Sequence, residues 1–237
     1  IKKAIEVINQ CEIHRLDYGI INGYPFFCTC GMGFDAFVSM KFAEAGKRGP
    51  ITYVENVLRE GLKYEPETYE IQDENGITRH KAFLISCANA SQYGNNAYIA
   101  PQASMSDGLL DVIIMEPFDV LDAPQISIEM FSKTLDKSSK IKTFKSKKLH
   151  IHRQAPGVIH YDGDPVMTGA DVEVELVEKG IDIVVNPNGD KSRRKPNALQ
   201  SAACELFNEI NVVRDDINKQ TRHIQALSRI LQRKLNL

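Results

Sequence analysis

The residues best suited to chemistry lie in a long polar loop between two apolar segments. Residues 89–111 of the 237-residue chain read NASQYGNNAYIAPQASMSDGLLD, a run of small and polar side chains. A loop of this length inside a compact domain is usually functional. Near its end, Asp107 and Gly108 form a tight turn whose carboxylate and backbone carbonyls could supply the oxygen ligands that Mg²⁺ prefers. The alternative is that Asp107 only caps the turn.

A second acidic bend lies at Asp162-Gly163-Asp164. The glycine allows the chain to turn sharply between the two acids. One of these acids, at a strand end facing a cleft, could take a proton from a substrate hydroxyl. The alternative is a plain Asp-Gly hairpin turn.

A third candidate is Gly31-Met32-Gly33-Phe34-Asp35, where two glycines precede a predicted helix. Glycines at this point permit close approach of the backbone to a phosphate. The full dinucleotide-binding fingerprint is absent, because no third glycine follows. Asp35 as the N-cap of the helix is the alternative.

Cysteines and histidines give weaker signals. The chain has five cysteines and no secretory signal, which indicates reduced thiols in a cytoplasm. Cys28 and Cys30 are expected to share one face of a strand rather than to form half of a metal site. His150 and His152 also share a strand face, but no third ligand is evident, so surface or turn roles are favoured.

The elements that position these residues follow from hydrophobic periodicity. Residues 12–30 alternate and carry Asn22-Gly23 as a hairpin signal. Helices are predicted over residues 1–9, 35–45, 51–61 and 119–136, and further strands over 69–71, 82–87, 109–115, 148–152, 158–161, 172–177 and 181–185. Many short strands with a few helices predict a mainly β (α+β) chain with a β-sandwich-like domain over residues 1–186.

The end of the chain has a different character. Residues 187–196 are predicted to be a basic linker, and residues 197–237 a helical tail. Within that tail, nine of ten a and d heptad positions between Leu199 and Leu231 are apolar. Three interpretations stay open: helical pairing in a homodimer, packing on the chain's own domain, and a basic amphipathic helix on a membrane surface.

Composition excludes some classes of protein. No run approaches eighteen apolar residues, so a transmembrane segment is not expected. Residues 191–237 carry a net charge of +6 and the rest of the chain −8, within a total of −2. We expect no nucleic-acid partner. The absence of an initiator Met suggests a fragment of a longer protein.

The order of the motifs, G-x-G-F-D-A, then N-x-x-x-x-G with A-P-x-A and D-G-x-L-D, then D-G-acid-P, resembles the diacylglycerol kinase catalytic family over about residues 1–185. That family includes bacterial lipid kinases and sphingosine kinases. The resemblance implies the carboxyl-terminal β-sandwich lobe of the NAD kinase/diacylglycerol kinase-like fold. The G-G-D-G-T loop by which the family's amino-terminal lobe binds ATP does not occur in these 237 residues.

The resemblance also implies roles for single residues. Asp107 becomes the side-chain ligand of a structural Mg²⁺, with the carbonyls of Ser104 and Leu109 completing the protein part of its shell. Asp164 becomes the general base, at a position where the family usually has Glu. We expect the Asp107 segment and the Asp164 bend to come together around a divalent ion and an incoming alcohol.

ATP binding is assigned by the same resemblance to Gly31, Gly33, Asn89 and Gly94. In helix 51–61, Asn56 stands where some bacterial members have a Lys. Apolar side chains that could line a lipid slot, or simply pack in a core, are Phe34, Phe37, Val38, Met40, Phe42, Tyr53, Val57 and Met130.

The predicted function is that of a cytoplasmic kinase, peripheral to the inner face of the membrane, which uses ATP and Mg²⁺ to phosphorylate a lipid hydroxyl of diacylglycerol or a long-chain base. The fragment alone is expected to be inactive. The rivals are a non-catalytic lipid-binding or regulatory module of the same fold, and an NAD kinase.

Overall fold

The computed structural model describes residues 1–45, 64–94 and 96–187. The predicted helix 51–61 with Tyr53, Asn56 and Val57, the side chain of Phe42, and the predicted tail 197–237 lie outside the described residues and side chains.

Three α-helices and twelve strands make up the described part of the chain. The helices are α1 (Lys2–Gln10), α2 (Phe34–Ala45) and α3 (Ala123–Ser132). The strands are β1 (Ile13–Ile21), β2 (Tyr24–Phe26), β3 (Thr29–Gly33), β4 (Glu67–Asp73), β5 (Gly76–Ala82), β6 (Leu84–Ala88), β7 (Leu110–Met115), β8 (Ile141–Ser146), β9 (Lys148–Arg153), β10 (Gly157–Tyr161), β11 (Asp164–Thr168) and β12 (Asp171–Val184).

The strands form two antiparallel sheets of six strands each. The first sheet has the order β2-β1-β12-β9-β4-β5 and the second has the order β11-β10-β3-β6-β7-β8. Both sheets contribute to one apolar core, for example Ile71, Leu149 and Val172 from the first and Met32 and Ile85 from the second. The predicted β-sandwich-like domain is therefore confirmed.

Three inner strands of the second sheet are buried on both faces, whereas the strands of the first sheet are not. Strands β3, β6 and β7 are buried along their whole length, but β12 alternates between exposed and buried residues over its first half. The outer face of the second sheet packs against α2, α3 and the polar loop in a second apolar cluster that includes Val38, Ile99 and Ile126. A strand buried on both faces reads as a nearly continuous apolar run, as Leu84–Ala88 does apart from the buried Ser86.

The sequence prediction differs from the structure in the predicted helix 119–136. It is divided into a 3₁₀ turn at Val120–Asp122, then α3, then a second 3₁₀ turn at Leu135–Lys137. Lys133 ends α3 in the left-handed conformation, with φ 64°. That conformation stops the helical hydrogen-bond pattern.

The two predicted strands 172–177 and 181–185 are one long strand, β12. The interruption in the sequence pattern corresponds to a bulge, because the register of β1 against β12 shifts between Leu16 and Tyr18 and Lys179 has φ 48°. The sequence does not predict strands β5, β8 and β11, and the partner of β4 is β5, not the predicted strand 82–87, which is β6 of the second sheet. β8 is mostly polar, and β11 begins with an acid followed by Pro165, which disfavours a strand in sequence.

A buried arginine joins the two sheets at the open end of the β10–β11 hairpin. Arg153, on β9 of the first sheet, is 2% exposed. Its Nη1 donates to the carbonyl oxygen of Val158 at 3.1 Å. Its Nη2 contacts the carbonyl oxygens of Gly157 at 2.6 Å and Gly169 at 2.9 Å, and the hydroxyl of Thr168 at 2.8 Å. Within the described residues it forms no ion pair with a carboxylate, and burial lowers its pKa.

Candidate functional site

Most of the predicted site residues lie at one end of the second sheet, whereas Gly33 lies at the other end of β3, opposite Leu84. Thr29 on β3 lies opposite Ala88 on β6, and Ala88 lies opposite Asp111 on β7. The N–H of Asp162 donates to Thr29 O at 2.8 Å. The acidic bend, the start of the polar loop and the Asp107–Asp111 segment therefore meet the same end of the sheet.

The predicted base, Asp164, and the predicted metal ligand, Asp107, belong to strands that are well separated along that end. Asp164 begins β11, and Asp107 precedes β7, which is four strand positions away in the sheet. At about 4.8 Å per strand spacing, four steps span about 19 Å. The two acids therefore share an end of the sheet but belong to segments that are four strands apart along it, and their meeting around one divalent ion stays a prediction.

The first acid of the bend has a structural role. Both carboxylate oxygens of Asp162 accept backbone hydrogen bonds, Oδ2 from the N–H of Phe27 at 2.7 Å, and Oδ1 from those of Cys28 at 2.7 Å and Thr29 at 3.0 Å. Asp162 itself has φ 48°, a conformation that Asp adopts more readily than most residues. It ties the β10–β11 turn to the loop between β2 and β3.

The second acid of the bend is available for chemistry. Asp164 is exposed, and its carboxylate has no hydrogen bond or ion pair with another residue of the described ranges. It lies opposite Tyr161 on β10, whose ring stacks on Tyr24 with centroids 5.0 Å apart. Both acids are exposed, but only Asp164 has a carboxylate that no described residue engages.

Asp17, a buried acid that the sequence analysis missed, holds the predicted metal loop. Asp17 is 2% exposed. Its Oδ2 accepts the N–H of Gly108 at 2.9 Å, and its Oδ1 accepts that of Lys179 in the β12 bulge at 2.7 Å, while its own N–H donates to Met105 O at 2.8 Å. An acid at an inward position of the alternating strand β1 was the signal for this role.

Asn89 is fully buried and connects two segments. Its Nδ2 donates to the carbonyls of Asp17 and Phe27, each at 2.8 Å. Its Oδ1 is also buried and accepts no hydrogen bond from the described residues. The amide thus supports the loop from inside, and its assignment to ATP binding stays a prediction.

The predicted phosphate glycines have an internal explanation. A Cβ at Gly31 would lie 2.6 Å from Asp35 Oδ2 and 2.7 Å from the carbonyl oxygen of Ile85. At Gly33, where φ is 95°, a Cβ would lie 2.7 Å from the carbonyl oxygen of Phe83. Packing therefore requires glycine at both positions, and a phosphate contact stays a prediction.

Asp35 belongs to a buried polar group on the helix-covered face of the second sheet. Its Oδ2 accepts the Tyr93 hydroxyl at 3.0 Å and lies 3.0 Å from His160 Nε2, which donates in the tautomer protonated there. His160 is 2% exposed, and its Nδ1 has no partner in the described residues. Asp35 is the second residue of α2, not the residue that precedes the helix as an N-cap would.

Gly94 is the exposed member of the predicted ATP-binding set. It has φ 134° and pairs with Ala97 across a tight turn, in which Ala97 N donates to Gly94 O at 2.8 Å. Its backbone conformation favours glycine whether or not a nucleotide binds.

The Asp107 carboxylate is already engaged by the protein. Its Oδ1 accepts the N–H of Leu109 at 3.3 Å, and its Oδ2 accepts Lys145 Nζ at 2.8 Å. Lys145 also lies 3.0 Å from Asp111 Oδ2. Burial alone would lower the pKa of Lys145, but the two carboxylates outweigh it and raise that pKa. Burial raises the pKa of Asp111, and Lys145 offsets this in part.

These contacts test whether the predicted set, the carbonyls of Ser104 and Leu109 with the Asp107 carboxylate, fits Mg²⁺. The described residues contain no group of three or more His, Cys, Asp or Glu side chains arranged to hold a metal ion. Because the predicted set uses one carboxylate and two carbonyls, its fit depends instead on what surrounds Asp107. The cation beside Asp107 is instead the ammonium of Lys145. In this arrangement the set does not fit a divalent ion.

The exposed histidines pair with an acid on the first sheet. His152 Nδ1 lies 2.8 Å and His150 Nε2 lies 3.4 Å from Asp171 Oδ1. The hydrogen bond with His152 lowers the pKa of Asp171. This agrees with the surface role predicted for the two histidines.

The cysteines of the described ranges are all reduced. Cys30 and Cys87 are buried and lie opposite each other in β3 and β6. Cys28 is exposed as a residue, but partial desolvation of its thiol, followed by the charge of the nearby Asp162, raises its pKa. Within the same ranges, no helix is long and apolar enough to cross a membrane.

Several of the predicted lipid-slot residues lie in the second apolar cluster. Phe34 and Val38 are each 8% exposed, and Phe37 and Met130 pack against the cluster from its margin. Phe34 also contacts Phe83, with ring centroids 4.5 Å apart. This packing accounts for them as core residues, and the lipid slot stays a prediction.

Comparison with known proteins gives a family match over the described domain. Residues 28–184 match the YegS C-terminal NAD kinase beta sandwich-like domain. The chain is 24% identical over 191 residues to the probable lipid kinase YegS-like of Shewanella frigidimarina, covering 79% of this chain and 61% of that protein. It is 25% identical over 187 residues to the uncharacterized protein sll0036 of Synechocystis, covering 76% of this chain and 43% of that protein.

Similar folds occur among solved structures. A diacylglycerol kinase from Bacillus anthracis strain Sterne superposes with a TM-score of 0.57 at 17% identity, covering 78% of this chain and 58% of that one. At this identity the likeness establishes the fold. The chain thus spans about half of the length of the proteins that it matches.

Proposed function

Because the chain belongs to the family of YegS C-terminal NAD kinase beta sandwich-like domains, we propose that it is the carboxyl-terminal lobe of a lipid kinase that transfers phosphate from ATP to a lipid hydroxyl. The relative from Shewanella frigidimarina is named as a probable lipid kinase. Diacylglycerol or a long-chain base at a membrane surface is the proposed acceptor.

The observation that carries the proposal is that the two acids of the bend have different hydrogen-bond partners. The Asp162 carboxylate accepts hydrogen bonds from three backbone amides, whereas Asp164 is exposed and its carboxylate has no partner within the described residues. A general base needs a carboxylate that a substrate hydroxyl can reach. Asp164 meets this need and Asp162 does not.

In the proposed reaction, Asp164 accepts the proton of the lipid hydroxyl as the oxygen attacks the γ-phosphorus of ATP. The bond from that phosphorus to the β–γ bridging oxygen breaks, and ADP leaves. Phosphoryl transfer depends mainly on positioning and on neutralising charge. The hairpin is held rigidly from both ends, by Asp162 at the turn and by Arg153 at the open end, so the base is presented on a fixed element.

ATP is the proposed phosphate donor. Gly31, Gly33, Asn89 and Gly94 are proposed to shape the edge of its site. Three of them are buried, and only Gly94 is exposed. We expect them to act by supporting the loop, and we expect residues 1–237 alone to phosphorylate nothing.

The remaining proposals concern the domains of the chain, its pairing into a dimer and its location in the cell. Residues 1–186 are proposed as the lipid-binding and catalytic lobe, 187–196 as a linker and 197–237 as a helical tail that pairs two copies. We propose a cytoplasmic enzyme that acts at the inner face of the membrane.

The test uses the full-length protein with labelled ATP and a panel of lipid alcohols in mixed micelles. Asp164→Asn should lower kcat by at least about 100-fold while the thermal midpoint stays unchanged. The control is Glu175→Gln, an exposed acid on the first sheet, which should retain full turnover. Asp164→Glu, which restores the acid usual in the family, should be active.

Equal turnover of Asp164→Asn and wild type would contradict the proposed base. A wild-type protein that binds lipid but forms no phosphorylated product would instead favour a non-catalytic lipid-binding module. Phosphorylation of NAD in place of any lipid would favour an NAD kinase.

A further inference from the structure

The cation beside Asp107 is a lysine side chain. Lys145 Nζ lies 2.8 Å from Asp107 Oδ2 and 3.0 Å from Asp111 Oδ2, so one ammonium bridges two carboxylates. Asp111 is largely buried, with 12% of its side chain exposed, while those of Asp107 and Lys145 are 33% and 37% exposed. The bridge therefore sits partly within the protein.

The backbone fixes the position of Lys145. Lys145 on β8 lies directly opposite Asp111 on β7, so its side chain leaves the sheet on the same face as the acid. Neighbouring lysines of the same segment are engaged elsewhere, Lys142 with Glu116 and Lys147 with Glu178.

The rest of the turn is completed by the protein as well. Leu109 N–H donates to Asp107 Oδ1, and Asp17 accepts the N–H of Gly108. A divalent ion needs oxygen ligands at about 2.0–2.1 Å. An ion bound to Asp107 would meet the positive charge of Lys145 within a few ångströms and be repelled by it.

We propose that Lys145 is the resident cation of this site, and that a divalent ion binds at Asp107 only in competition with it. Lys145 stabilises the Asp107-Gly108 turn without metal. Its removal leaves two acids close together, Asp107 and Asp111, and such a pair attracts a divalent ion.

The test measures binding of Mn²⁺, as a stand-in for Mg²⁺, by electron paramagnetic resonance on the intact chain. Wild type, Lys145→Gln and the control Lys142→Gln are compared, with Asp107→Asn added to each background. Lys145→Gln should bind one Mn²⁺ at least about tenfold more tightly than wild type, and Asp107→Asn should abolish that gain. Lys142→Gln should match wild type.

A second readout covers the case in which Lys145→Gln folds poorly. The thermal midpoint of wild type should be insensitive to Mg²⁺, whereas that of Lys145→Gln should be lower without metal and recover when Mg²⁺ is added. Mn²⁺ binding to wild type as tight as to Lys145→Gln, or a wild-type midpoint that rises with Mg²⁺ and loses the rise in Asp107→Asn, would overturn the proposal. These readouts do not use turnover, so this inference and the proposed kinase activity fail separately.

Discussion

The two ends of the β10–β11 hairpin are held by opposite charges and serve opposite purposes. At the turn, the Asp162 carboxylate collects three backbone N–H groups at an exposed surface. At the open end, the buried Arg153 guanidinium collects the carbonyls of Gly157, Val158 and Gly169. The contacts of Arg153 join the two sheets at the open end, whereas those of Asp162 at the turn leave the neighbouring Asp164 exposed to solvent.

The difference between these two sets of contacts shows how one hairpin can be held rigidly and still expose an acid for chemistry. A planar guanidinium with five donors can satisfy several carbonyls in the interior, where each unpaired carbonyl would be costly. A carboxylate accepts from amides at the surface and leaves the neighbouring acid free to meet a substrate. The comparison predicts unequal effects when each end is disrupted.

The largest loss of stability is expected when the Arg153 contacts at the open end of the hairpin are removed. Arg153→Met should lower the free energy of unfolding by about 3 kcal/mol, because it leaves several buried carbonyls without donors. Denaturant unfolding of the chain measures the loss. The control Arg15→Met removes an exposed guanidinium that pairs with Asp182, and it should cost less than about 0.5 kcal/mol. A loss for Arg153→Met no larger than that for Arg15→Met would show that the Arg153 contacts do not anchor the open end.

A smaller loss of stability is expected when the Asp162 contacts at the turn of the hairpin are removed. Asp162→Ala removes the acceptor of three amides and places Ala at φ 48°, so we expect the free energy of unfolding to fall by about 2 kcal/mol. Asp164→Ala should leave it unchanged, because that carboxylate has no partner within the described residues. A destabilisation of the same size by Asp164→Ala would reverse the roles given to the two acids.

The smallest change in stability is expected from adding a methyl group beside the Arg153 guanidinium. A Cβ at Gly157 would lie 2.9 Å from Arg153 Nη1, whereas a Cβ at Gly169 meets nothing within 4 Å. Gly157→Ala should cost about 1 kcal/mol, measured by the same denaturant unfolding, and Gly169→Ala should cost nothing. If both variants unfold like wild type, Arg153 has room to shift and the open end is looser than the contacts indicate.

Much of the fold could be read from local patterns. The Asn22-Gly23 turn has φ 46° and 84°, which is what that dipeptide favours in a two-residue hairpin. The start of α2 after Gly33 and the strand at Leu110–Met115 were also predicted closely. The bulge in β12 was read as a break, because a bulge and a turn interrupt alternation in the same way.

The candidate site was harder to predict. Asp17 was missed because its partners, Gly108 and Lys179, lie far away in sequence. The sequence points to Asp107 as a metal ligand but not to Lys145, because no local pattern predicts the pairing of β7 with β8 that brings them together. The choice of Asp164 over Asp162 rested on resemblance, and the hydrogen bonds of Asp162 supply a physical reason for it.

The sequence alone determined which residue types are present and where the chain turns, because glycines, prolines and alternation act over a few residues. It marked the loop 89–111 and the bend 162–164 as unusual on that basis. Only the tertiary structure decided which acids are engaged and which is exposed, because their partners come from strands distant along the chain. Asp162 with the β2–β3 loop, Arg153 with the β10–β11 hairpin, and Lys145 with Asp107 are contacts that sheet pairing creates.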